Sequence, residues 1–352
     1  MSDDAVRETA NSISVEGRGI ARWLLAVVPL LALAAGAAGC IDPSAPGTLV
    51  PPTADQDPKL PGVNIAYQGA SRRIHYREFG DARRPVLFII PGSGSDVRPY
   101  LPLRVLADVY RVIMWDLPGN GLSERVSARE VDVEKQVEAI EALRQQFSPD
   151  RPVTIVGHSW SAAIVALYLA AHPDVVHQAV LIEPPGLKAE FQQQVGLAAD
   201  LTAPGYLEMV WNSESMPVDH EGLDYQMLAL SQSGVRHFAC PGKPNPPWPI
   251  WRPGALANIV WERSIVSGTT FIHDYTRGLD RFIHEVLIVG TECSPIGTDF
   301  QRRTNLTVFP NAKLLHIPSS SHRILTEQLD ALLTGLRGFL DPAGVPQAGG
   351  AP

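Results

Sequence analysis

Cysteine is scarce in this chain of 352 residues, with three in all, and the ten histidines are scattered without a close pair on one helix face. Zinc sites draw their ligands from closely spaced Cys and His pairs, so the pattern gives no metal site. No cluster of five or more Lys and Arg occurs, and the net charge is −8. That balance has no electrostatic basis for holding a phosphate backbone, which excludes nucleic acid as a partner. No repeat of fixed period and no cofactor motif is present, so no cofactor is expected. The uncharged apolar run near the N-terminus, from Trp23 to Gly39, is interrupted by Pro29. It falls short of the ~20 residues a spanning helix needs.

What remains is a chain with 45% hydrophobic content, enough to bury a sizeable core. Arg18 and Arg22 precede the apolar run, and Ala37-Ala38-Gly39-Cys40 ends it. A basic region, a short apolar core and a small-residue cleavage site describe a secretory signal over residues 1–39. The run resembles a bacterial lipoprotein signal, which implies lipidation of Cys40 and a protein of the bacterial cell envelope, exported and held at the membrane by that lipid. An uncleaved anchor and plain secretion are the alternatives, and all three put the remaining chain outside the cytoplasm. Residues 40–61, rich in Pro, Ala, Gly and Asp, are expected to be a tether, and 341–352 a loose tail. In an exported protein Cys240 and Cys293 either join as a disulfide or stay as two buried thiols, and both remain open.

Between tether and tail, apolar runs alternate with helical patterns, the signature of an α/β fold with a mostly parallel sheet and helices on both faces. Strands are predicted at 73–79, 86–90, 109–115, 153–156, 180–182, 286–289 and 314–317. Helices are predicted at 128–147, with Val133, Val137, Ile140, Leu143 and Phe147 at helical spacing, and at 325–340. Residues 62–187 and 283–340 make the core on this reading. The interval 188–282, rich in Trp, Tyr, Phe and Pro, breaks the alternation and reads as an inserted lid. Its Tyr206, Trp211, Trp248, Trp251, Trp261 and Phe271 either line an apolar substrate pocket or form the lid's own small core.

Gly157-His158-Ser159-Trp160-Ser161 lies directly between a strand-like run and the helix-like run 162–171. A nucleophilic serine on a sharp strand-to-helix turn needs small residues two before and two after it, so that strand and helix can close on each other. A serine hydroxyl is a poor nucleophile until a base takes its proton and an acid orients that base. His322, after the last predicted strand, is the candidate base. The oxyanion that forms in acyl transfer needs N–H donors, expected from Trp160 and from Ser93 in Pro91-Gly92-Ser93-Gly94-Ser95.

With the turn Asp116-Leu-Pro-Gly-Asn-Gly-Leu-Ser123, these segments make residues 73–340 resemble the α/β-hydrolase superfamily, more loosely its proline-iminopeptidase-like branch. Three positions depart from the family pattern: Pro91 where His is usual, Ser161 in place of the second elbow glycine, and Cys293 where the acid usually stands. The resemblance implies an acid between Ser159 and His322 in the chain. Glu183, after the strand ending at 182, and Glu292, beside Cys293, both satisfy that order, with Glu183 preferred and Glu292 the alternative. The implied function is a serine hydrolase that cleaves a small-molecule carboxylic ester or amide through an acyl-enzyme. The alternatives are a proline-iminopeptidase-like aminopeptidase and a non-catalytic binding protein on the same fold. The peptidase would need a lid carboxylate for the substrate amine, with Glu208, Glu214, Asp219, Glu221 and Asp224 as candidates.

Overall fold

The structure is a computed structural model, and it describes residues 49–92, 94–193, 219–232, 239–264, 266–267, 270–341 and 343. The signal segment, Cys40, Ser93, Tyr206, Glu208, Trp211 and Glu214 therefore lie outside the described residues. In chain order the strands are β1 (Gly62–Tyr67), β2 (Ala70–Phe79), β3 (Val86–Ile90), β4 (Arg111–Trp115), β5 (Val153–His158), β6 (Val176–Ile182), β7 (Val266–Ser267), β8 (Thr270–Phe271), β9 (Val286–Thr291) and β10 (Ala312–Ile317). The helices are α1 (Val133–Phe147), α2 (Trp160–Ala171), α3 (Ala189–Gln192), α4 (His220–Gln232), α5 (Ala255–Ser264), α6 (Thr298–Arg303), α7 (Ile324–Glu327) and α8 (Leu329–Phe339).

Eight strands form one sheet in the order β1-β2-β4-β3-β5-β6-β9-β10. The pairs β1–β2 and β2–β4 are antiparallel, and every pairing from β4 to β10 is parallel. Sequence explains the two-sided burial. In β3, Phe88 and Ile90 enter one apolar cluster while Leu87 and Ile89 enter the other. β9 repeats the division, with Val286 and Ile288 on one face and Leu287 and Val289 on the other. An unbroken apolar strand is what a parallel sheet covered on both faces requires. Cutting Ile89 to Ala would cost roughly 2–5 kcal/mol through lost burial and a cavity.

Several boundaries differ from expectation. The segment expected to be a tether up to residue 61 is packed from Leu49 onward: Val50, Thr53 and Ala54 are buried, and the Ala54 N–H donates to the Leu122 carbonyl at 2.7 Å. A Pro-rich composition reports poor helix formation, and it is silent on packing by burial. β1 precedes the first predicted strand, joined to β2 by Gln68-Gly69, both with the positive φ that tight hairpins use. The helix predicted from 128 begins as an α-helix only at Val133, because the Asp132 side chain accepts the Lys135 N–H at 2.8 Å and caps it there. The helix predicted at 325–340 is two, α7 and α8, separated at Gln328. Within the insertion between β6 and β9, an extended strap over 239–254 links α4 to α5, and β7 and β8 form a short antiparallel ribbon.

Candidate active site

β5 delivers the chain into a tight turn at Ser159, whose backbone has φ 57° and ψ −132°. The turn is held on both sides: the Ser159 N–H donates to the Ile182 carbonyl at 2.9 Å, and its carbonyl accepts the Ala162 N–H at 2.9 Å. A Cβ on Gly157 would sit 2.8 Å from the Ala162 Cα, so strand and helix can close only over glycine. Ser161 stands where a second glycine was expected. Its buried hydroxyl donates to the Pro91 carbonyl and ties the turn to the loop after β3.

His322 approaches from the loop after β10, with Nε2 3.0 Å from the Ser159 Oγ. That loop is braced by Glu327 at the end of α7, whose carboxylate accepts the Ser321 N–H and hydroxyl, each at 2.7 Å. The other ring nitrogen, Nδ1, is 2.6 Å from Glu183 Oε2. Glu183 follows β6 with φ 45° and is fully buried. Its second carboxylate oxygen accepts the Thr291 N–H at 3.0 Å and the Thr291 hydroxyl, so β9 fixes the orientation of an acid carried by β6.

The two candidate acids are thus separated by position. Glu292 is exposed, and its carboxylate accepts the Ser319 N–H at 2.6 Å. Beside it, Cys293 is joined to Cys240 in a disulfide, which resolves the open question of the two cysteines. Trp160 opens α2 and is half-buried. Ser93 lies outside the described residues, yet both neighbouring amides are engaged: Gly92 N–H donates to the Tyr100 oxygen at 2.9 Å, and Gly94 N–H to Asn120 Oδ1 at 3.4 Å.

The Asp116–Ser123 turn supports this loop from below. Asp116 accepts the Val97 and Leu122 N–H groups and pairs with His75 Nδ1, each at 2.8 Å. Gly121 has positive φ, and a Cβ there would collide with the Asp116 carboxylate.

Buried and partly buried polar residues hold the strap over this edge, and of these sequence reasoning missed Asp96, Arg125, Arg252 and Arg323. Asp96 accepts the Arg98 N–H at 2.8 Å and the Trp251 and Arg252 N–H groups, the last at 2.9 Å. Burial, with Asp116 nearby, pushes the Asp96 carboxyl up to about 7. Trp248 donates from Nε1 to Ser95 Oγ at 3.2 Å, and the Arg323 guanidinium donates to the Pro246 carbonyl. Asp224 on α4 is buried between two guanidinium groups, 2.8 Å from Arg125 and 2.6 Å from Arg252. These pairs lie far apart in the chain, and no local spacing marks them. Of the aromatic candidates, Trp248 and Trp251 pack against the apolar core, and the side chains of Trp261 and Phe271 lie outside the described residues. A groove of about 530 Å³ lined by Glu134, Leu167, His273, Arg277 and Arg281 includes none of the site residues. No helix among the described residues is long and apolar enough to cross a membrane.

Comparison with known proteins bears on the fold and the family. The family profile described as the alpha/beta hydrolase fold matches residues 85–203. A proline iminopeptidase from Heyndrickxia coagulans is 30% identical over 284 residues, spanning 76% of this chain and 95% of that protein. Among solved structures, a bacterial membrane phospholipase A described as a virulence factor aligns with TM-score 0.54 at 19% identity, over 90% of this chain and 99% of its own. A thermophilic esterase from Thermogutta terrifontis aligns with TM-score 0.54 at 15% identity, over 79% of this chain and 97% of its own. At such identities the solved structures speak for the fold, while the iminopeptidase alignment speaks for the family. The chain belongs to the α/β-hydrolase superfamily.

Proposed function

We propose that the chain is a serine hydrolase that cleaves a small carboxylic ester or amide through an acyl-enzyme. The supporting observation is the continuous line from Ser159 Oγ to His322 Nε2 at 3.0 Å and from His322 Nδ1 to Glu183 at 2.6 Å. Glu183 accepts a hydrogen bond from Nδ1–H of His322, which leaves Nε2 as the acceptor facing the hydroxyl. His322 takes the Ser159 proton as Oγ attacks the carbonyl carbon, then returns it to the leaving group as the tetrahedral intermediate collapses. Water, deprotonated by the same imidazole, releases the acid and frees Ser159. The oxyanion is held by the N–H of Trp160 at the start of α2 and by that of Ser93, which lies between Gly92 and Gly94 in the sequence.

Ester or simple amide cleavage is favoured over aminopeptidase action by what the described lid carboxylates already do. Asp224 is held by Arg125 and Arg252, Asp219 caps α4 through the Gly222 N–H, and Glu221 accepts the Leu49 N–H. An amine-binding carboxylate would need to face the substrate. The test is a comparison of p-nitrophenyl esters with prolyl-β-naphthylamide: ester turnover that disappears in Ser159→Ala is expected. Faster cleavage of the prolyl substrate would favour the peptidase. No turnover of either by folded protein would favour a binding protein. The N-terminal sequence extends the proposal to an enzyme tethered to the bacterial envelope through acylated Cys40, tested by palmitate incorporation in the full chain and its loss in Cys40→Ala.

A further inference from the structure

The residue before the nucleophile carries a second histidine that the mechanism above does not use. His158 is buried, and its ring stacks on that of His322 with centroids 4.7 Å apart and planes inclined by 29°. Its Nδ1 is 2.6 Å from the Tyr100 oxygen, and its Nε2 is 3.2 Å from the His322 backbone carbonyl. A carbonyl only accepts, so Nε2 must carry the proton. Nδ1 is then the acceptor, and the Tyr100 hydroxyl donates to it. That hydroxyl in turn accepts the Gly92 N–H at 2.9 Å. Along this line from the His322 carbonyl through His158 and Tyr100 to Gly92, each donor meets an acceptor in one tautomer and one charge state.

We infer that His158 is a positioning residue, a neutral imidazole that clamps the His322 loop to the nucleophile turn and to the loop after β3. The clamp joins the three segments whose relative placement sets the reaction geometry: the base through its own carbonyl, the nucleophile through the adjoining peptide, and the oxyanion loop through Gly92. Trp248 closes the far side, its ring 5.9 Å from His158 and 6.0 Å from Tyr100. Burial keeps the Tyr100 phenol protonated, and burial beside His322 lowers the His158 basicity well below that of a free imidazole. A neutral ring suits the site, because His322 becomes cationic during turnover and a second cation stacked on it would oppose that step. Holding a base within hydrogen-bond reach of its nucleophile is worth orders of magnitude, and misplacement by about 1 Å costs roughly 100-fold.

The inference rests on the proposed role of Ser159 and His322, and the test separates the two. His158→Phe keeps a stacked ring without either hydrogen bond. His158→Gln restores one donor and one acceptor, and Tyr100→Phe removes only the hydroxyl. Ester turnover should fall about tenfold or more in kcat with KM within about twofold for His158→Phe and Tyr100→Phe, and His158→Gln should recover most of it. Turnover at the wild-type rate in both Phe variants overturns the clamp. A second reading does not depend on activity: nitrogen-15 spectra of the wild-type imidazoles should show His158 protonated at Nε2 alone and unchanged from pH 5 to 8. A His158 protonated at Nδ1, or titrating in that range, overturns the inference even if the wild-type protein hydrolyses nothing. Absence of wild-type turnover with the expected tautomer removes the hydrolase reading and leaves the clamp standing.

Discussion

The loops after β6 and β9 lie side by side at the same sheet edge, and each carries a glutamate that chain order allows as the acid. They differ in what surrounds the carboxylate. Glu183 is buried, accepts from Thr291 on the neighbouring strand, and meets His322 at 2.6 Å. Glu292 is exposed and spends its carboxylate on a loop N–H, while Cys293 beside it is engaged by the disulfide to Cys240. On the proposed function one loop supplies the acid, and the other anchors the strap through its disulfide. The comparison teaches that a carboxylate's role follows from burial and from the bonds that fix its free oxygen. A buried carboxylate with both oxygens occupied has one orientation, whereas an exposed one has many.

The largest expected effect breaks this comparison at its stronger side. Glu183→Gln should lower kcat for ester hydrolysis by about 10³–10⁴-fold with little change in KM, because the imidazole loses its orientation and its stabilised cationic form. Steady-state kinetics on a p-nitrophenyl ester reads the effect directly.

On the other side, replacing both cysteines by serine opens a link that spans 53 residues of sequence. Loop-closure entropy puts the loss of stability at about 4 kcal/mol, read from the denaturant midpoint. The strap keeps its Asp96 and Arg323 bonds, so kcat should fall by less than about tenfold, and unchanged stability would deny the anchor role.

A pH dependence sharpens the description of the residue before the nucleophile. Burial and the neighbouring His322 hold His158 neutral below the ordinary value of 6.5, so below that pH the unfolded chain binds a proton that the folded chain does not. Stability contributed by His158 is therefore complete above pH 6.5 and declines as pH falls through it. The limiting slope is about 1.4 kcal/mol per pH unit. His158→Gln should lack this component, and equal slopes in the two proteins would contradict it. The smallest effect belongs to Glu292→Gln, expected to leave kcat within about twofold and stability within about 0.5 kcal/mol, as for an exposed side chain with one loop contact.

Much of the site could be read from the chain because its residues sit in local patterns. Gly157 and Ser159 are two apart on a strand-to-helix boundary, and short unbroken apolar runs located β3, β5 and β9. His322 follows a predicted strand, and the resemblance, with the positions after predicted strands, narrowed the acid to Glu183 and Glu292. The preference for Glu183 rested on resemblance, and its physical basis was not legible: it turns on Thr291, a residue 108 positions from Glu183 with no distinguishing local pattern. The same holds for the strap, whose attachments pair Asp96 with Arg252 and Arg125 with Asp224, contacts that the fold creates. Packing of residues 49–61 was hidden for a related reason, since irregular backbone buried by tertiary contact leaves no period in the sequence.

The central claim is that Ser159, His322 and Glu183 act as one unit. Intact-mass measurement of labelling by a fluorophosphonate tests it most directly, on the wild-type protein with Ser159→Ala, Glu183→Gln and Glu292→Gln. The expected result is a single adduct located on Ser159, absent in Ser159→Ala, formed about 100-fold or more slowly in Glu183→Gln and at the wild-type rate in Glu292→Gln. An adduct elsewhere, no adduct on the folded wild-type protein, or the two glutamate variants in reversed order would contradict the account.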